Sequence, residues 1–190
     1  MTIPRREGGM LLLDLLFGVI IAMGMLLVIA QISSALNRGR MAHLQGSRLA
    51  AGAAALQAML DKNAASIATY GTAPGFTNPL SPSETDLRNS GYLPSFVPTH
   101  MPFGGTMIFT VRVGVNKTLI GLACGNQSIS NAAGQADGPT AGKVMHAANG
   151  VGLRTTFGTP GVLNGPGFQN IASPVNGPAI VCAWAATSGQ

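Results

Sequence analysis

From Leu11 to Ala30 the chain is apolar almost without interruption, and Asp14 is the only ionisable side chain in that run. About 20 residues at 1.5 Å rise cover roughly 30 Å, the hydrocarbon thickness of a bilayer, so the run predicts a membrane-spanning helix. Beyond Ile32 the pattern changes without a break. Leu49, Ala53, Leu56, Leu60, Ala64 and Ile67 recur at three- and four-residue steps, one face of an amphipathic helix. Gln45, Arg48, Gln57, Asp61 and Lys62 fall on its other faces. From Met10 no proline intervenes before Pro74, so one helix of roughly 55–60 residues, about 85 Å long, is expected. Its first half is apolar all round and its second half apolar on one side.

After this helix the period shortens. Gly71, Pro74, Gly75, Pro79 and Pro82 mark a loop. Ser81-Pro82-Ser83-Glu84 reads as a helix start with Pro82 at the first helical position, leading into a short helix through Asp86, Leu87 and Arg88 that Gly91 stops. Met107–Val113 is the clearest strand, Asn116-Lys117 a turn, and Leu119–Cys124 its hairpin partner. Asp137-Gly138-Pro139 opens a second short helix that closes at Asn149-Gly150. Residues 150–177 are rich in glycine, proline and asparagine and predict only weak strands near Leu153–Phe157. Ala179–Ala185 reads as a buried terminal strand. The fold class is α+β: a long helical spine on a small antiparallel sheet.

Composition narrows the function. Charged residues are 9% of the chain, and the net charge of +5 comes from scattered single residues. No basic run interleaves with aromatics, so no specific nucleic-acid partner is expected. His43, His100 and His146 stand far apart in sequence, none with a carboxylate at ligand spacing. Gly138-Pro139-Thr140-Ala141-Gly142-Lys143 has too few residues between its glycines, and Val144 after the lysine, to be a phosphate loop. No nucleophile elbow, acidic dyad or metal cluster is visible, so neither an enzyme nor a cofactor is expected.

A lone acid inside an apolar span costs a few kcal/mol and is a functional residue by default. Here it stands five positions after Gly9, in Gly8-Gly9-Met10-Leu11-Leu12-Leu13-Asp14, behind a leader carrying Arg5 and Arg6. That segment resembles the type IV prepilin signature, in which a peptidase cuts after the glycine, the new amino terminus is N-methylated, and an acid at the fifth mature position guides assembly. The resemblance implies cleavage between Gly9 and Met10, methylation of Met10, and an assembly role for Asp14. Asp replaces the family's usual Glu, and Met the commoner Phe, as in the type IVb branch. Thr85–Val113 is similar in its short glycine-rich phrases to the heads of conjugative thin pili. An ordinary signal peptide has a shorter apolar run; a plain membrane anchor explains the length but leaves Asp14 and the abutting glycines as coincidence.

The resemblance divides the chain into a leader (1–9), a transmembrane and filament-core helix (10–32), an amphipathic second half (33–70) and an α+β head (71–190). The implied partners are further copies of the chain in a helical homopolymer, the prepilin peptidase, the inner-membrane assembly machinery, and membrane lipid before assembly. The implied location is the inner membrane and then an extracellular fibre. A minor pilin and a type II secretion pseudopilin are the alternatives.

Cys124 and Cys182 lie in the half that such an anchor sends across the membrane, where an oxidising compartment favours a disulfide. The family's usual C-terminal bond points the same way; two buried free thiols are the other reading. Within the helix, Gly18, Gly24, Gly39, Gly46 and Gly52 admit three readings: close helix packing, local melting on assembly, or plain tolerance.

Overall fold

A computed structural model describes the backbone of residues 7–114 and 117–187, with side chains from Leu13 onward. The chain divides into two compact units, Met1–Arg38 and Gly39–Gln190. Helix α1, Glu7–Tyr70, runs 64 residues through both. In the first unit every described side chain up to Leu36 is exposed, Leu15 at 70% and Phe17 at 55%, so this stretch has no core within its own chain. It is long and apolar enough to cross a membrane.

In the second unit α1 is amphipathic, as its spacing requires. Leu49, Leu56 and Leu60 are fully buried, with Ala53 and Ile67 nearly so, against an antiparallel sheet. Gln45, assigned by spacing to an outer face, is also buried, at 2% exposure. Its Oε1 accepts the Phe103 N–H at 3.2 Å, which satisfies the amide where the helix meets the 101–105 loop. Gly71, at φ +67°, ends the helix by donating its N–H to the Ile67 carbonyl.

Helix α2, Glu84–Asn89, starts two residues later than the proline signal implies. Ser83, not Ser81, is its cap: the Ser83 hydroxyl accepts the Asp86 N–H at 3.0 Å and the Asp86 carboxylate accepts the Ser83 N–H at 3.3 Å. This reciprocal box closes only at that spacing, so it overrides the helix-starting preference of Pro82.

The sheet contains β1 (Met107–Val113), β2 (Leu119–Gly125), β3 (Gly152–Arg154), β4 (Val162–Gly165), β5 (Phe168–Ala172) and β6 (Val181–Ala186), in the order β1-β2-β6-β3-β4-β5. Every pairing is antiparallel. Asn116 of the expected β1–β2 turn lies outside the described residues, and Lys117 takes φ +59°. Alternation sorts the two faces. Phe109, Ala123, Val181 and Ala183 meet α1; so do Ala141 and Val144 of α3 (Gly138–Ala147). Leu122, Cys124, Leu153 and Cys182 point to the other face, where Leu163 of β4 and Phe168 and Ile171 of β5 cover them. The sheet thus curls its last hairpin over its own back. That hairpin arises in a region where composition pointed only to weak strands near Leu153–Phe157.

Candidate assembly site

Gly9, Met10 and Asp14 all lie on α1, which runs unbroken through the Gly9–Met10 bond. Met10 and Asp14 are four residues apart, about one turn, so both occupy one side of the helix. The Asp14 side chain is exposed, as are Leu13, Leu15, Leu16 and Phe17 around it. A carboxylate presented on a wholly apolar cylinder carries little weight in water. In hydrocarbon it demands a cation or a proton. Arg5 and Arg6 lie outside the described residues.

The second pair of expected site residues meets. Cys124 and Cys182 are direct partners across β2 and β6, Cα atoms 4.0 Å apart, and form a disulfide with a sequence separation of 58. Both are completely buried in the core behind the sheet. A loop of that size stabilises the fold by roughly 4 kcal/mol in the chain-entropy model. The two strands it joins carry, together with β1, the face on which α1 rests, so the bond helps fix the seat of the helix.

Two glutamines on α1 hold that seat polar-side as well. Besides Gln45, Gln57 accepts the Ala186 N–H at 3.1 Å and donates to Asp61 Oδ1 at 2.7 Å. Sequence spacing marked both only as outward polar residues. What could have singled out Gln45 is its place four residues before Leu49, on the buried stripe itself.

A charged network centres on α2. Glu84 accepts from the Thr99 hydroxyl at 2.7 Å and pairs with Arg88 at 2.8 Å. The Thr99 hydrogen bond foremost lowers the Glu84 carboxyl below its usual value; burial opposes it, and the hydrogen bond and charge of Arg88 add to the lowering. Arg88 also donates to the Pro94 and Val97 carbonyls, which fastens the 94–97 loop to the helix. The arrangement is structural.

The glycine-rich start of α3 is no nucleotide site. Asp137 caps it, accepting from the Thr140 N–H at 3.0 Å and hydroxyl at 2.6 Å, and so fills with a carboxylate the place a phosphate would need. Among the described residues no group of three or more His, Cys, Asp or Glu side chains could hold a metal. The histidines are not all apart, however: His43 and His146 line one groove, while His100 stands elsewhere and accepts from Arg48 through its carbonyl. No family model, curated protein or solved structure matches this chain.

Proposed function

We propose that the chain is a structural subunit of a type IV, type IVb-like pilus, cleaved after Gly9, N-methylated at Met10 and polymerised through the apolar part of α1. The observation that carries this reading is the lone Asp14, one turn from Met10 on a helix whose described side chains from Leu13 to Leu36 are all exposed. A bilayer covers such a surface first, and the same surface of neighbouring copies covers it afterwards. Apolar packing alone leaves the axial position of one helix along another undefined. Pairing Asp14 with the methylated amine of Met10 in an adjacent subunit defines it, because either charge buried alone would be costly.

The head suits an outward position. Its core is closed on both faces of the sheet, and a buried disulfide ties its central strands. The pseudopilin alternative gains nothing from the acids: Asp137, the only acid beyond Asp86, is engaged in capping α3.

The test is Asp14→Ala in the cell that makes the fibre. The variant is cleaved and inserted like the parent, while fibre yield collapses. A normal fibre yield from this variant removes the assembly role of Asp14.

A further inference from the structure

Between α1 and the C-terminal half of α3 lies a groove of about 470 Å³, lined by Gly39, Ala42, His43, Lys143, His146 and Ala147 among others. The groove exists because small residues face each other there: Gly46 lets α3 approach α1 at Ala147, and Gly39 leaves the mouth open, with nothing within 4 Å of where its Cβ would stand. Its floor is apolar. Its rim carries three exposed basic side chains, His43, Lys143 and His146, from two elements distant in sequence.

Among the described residues nothing balances that rim. None of the three makes an ion pair among the described residues. Helix α1 carries no acid between Asp14 and Asp61, and α3 carries none at all. The acids of the head are each engaged close to home: Asp61 with Gln57, Glu84 with Thr99 and Arg88, Asp86 with Ser83, Asp137 with Thr140. The described residues therefore offer the rim no complementary anion.

We propose that this groove binds the headgroup of an anionic phospholipid, the phosphodiester against Lys143 and the two imidazoles and the glycerol backbone against the apolar floor. The inference rests on the reading that the apolar run enters a bilayer, since the groove begins at Gly39, shortly after that run ends near Ile32 in the chain. An amphiphile fits a site with a charged rim and an apolar floor better than a fully hydrated ion does. The volume lies within the range of about 300–1,000 Å³ usual for small-ligand sites. Basic side chains beside a membrane surface attract anionic lipid in this way.

The test uses the full chain in neutral detergent micelles with labelled histidine, titrated with dihexanoylphosphatidylglycerol, dihexanoylphosphatidylcholine or inorganic phosphate. Phosphatidylglycerol shifts the His43 and His146 imidazole resonances saturably; phosphatidylcholine does not, and phosphate does so only at much higher concentration. Lys143→Gln weakens phosphatidylglycerol binding roughly fivefold, the value of one basic contact at a lipid surface. Gly39→Leu, which fills the mouth without touching the core, weakens it too, and Lys117→Gln leaves it unchanged. Equal responses to the two lipids, no response, or indifference to Lys143→Gln overturns the proposal. Phosphate matching phosphatidylglycerol overturns the lipid assignment in favour of a free anion. Vesicle flotation of the same protein separates the two readings. A chain that floats but ignores phosphatidylglycerol loses the groove and keeps the anchor, and one that binds the lipid but does not float keeps the groove and loses the anchor.

Discussion

Gly46 of α1 lies so close to Ala147 of α3 that a methyl group on the glycine would stand 2.6 Å from the alanine Cβ, and equally close to the Val144 carbonyl. Backbone cannot yield as a flexible side-chain end can, so Gly46→Ala is expected to destabilise the head by about 1–3 kcal/mol. Gly18 and Gly24 are the opposite case, with nothing within 4 Å. Gly24→Ala is expected to leave the head's melting unchanged and to strengthen the isolated helix by up to about 1 kcal/mol. Thermal melts of the two variants in detergent, followed by circular dichroism, check the contrast.

Gly52 and Gly121 form a second close approach in which each face yields room to the other. A Cβ on Gly52 would collide with the Met107 sulfur, and one on Gly121 would press on Leu56 at 3.2 Å. The glycines of α1 from Gly18 onward therefore do not share one explanation. Gly46 and Gly52 are packing residues of the head, whereas Gly18, Gly24 and Gly39 have open space about them.

Reducing the disulfide is expected to lower the stability of the head by up to roughly 4 kcal/mol. Because Cys124 and Cys182 are fully buried, reductant acts only on opened molecules. Urea unfolding with and without a strong reductant, and of Cys124→Ala/Cys182→Ala, measures the loss. Equal midpoints would show that the bond does not hold β2 to β6.

Acid should loosen α2. A carboxyl lowered in the folded state contributes stability that is full above its unfolded value and fades as pH falls through the folded one. For Glu84, whose usual value is 4.5, the loss begins below about that pH. Its side chain is 41% exposed, so solvent screening keeps the effect within the roughly 0–1 kcal/mol of surface pairs. Glu84→Gln is expected to flatten this part of the stability–pH curve, and Thr99→Val to do so in part.

Gln45→Ala removes the acceptor for the Phe103 N–H and leaves a gap in a buried position. The expected cost is about 1–3 kcal/mol. Proteolysis of the 101–105 loop, faster in the variant, would report the loss locally.

Much of this architecture is legible in the chain because the signals are local. The long helix follows from its periodicity, β1 from Met107–Val113, and the α3 cap from Asp137 before Pro139. Where local signals competed, the weaker one for geometry lost: Pro82 suggests a helix start, but only Ser83 and Asp86 have the spacing to bond each other's backbone. The β4–β5 hairpin was obscured because its two strands are short and lie in a stretch rich in glycine, proline and asparagine. Its two-residue turn, Pro166-Gly167 between Val162–Gly165 and Phe168, is a hairpin signal that the flanking apolar residues support. The groove at His43 and His146 could not be read from spacing, because only the packing of α3 on α1 joins residues a hundred positions apart.

Asp14 and Met10 carry the central claim, and one measurement addresses it most directly: intact mass and amino-terminal sequencing of protein sheared from the cell surface as fibres. The account predicts a chain that begins at N-methylated Met10, is lighter by two hydrogens for the Cys124–Cys182 bond, and dominates the fibre. A chain recovered only from the inner membrane with residues 1–9 still attached would contradict it and leave a plain membrane anchor.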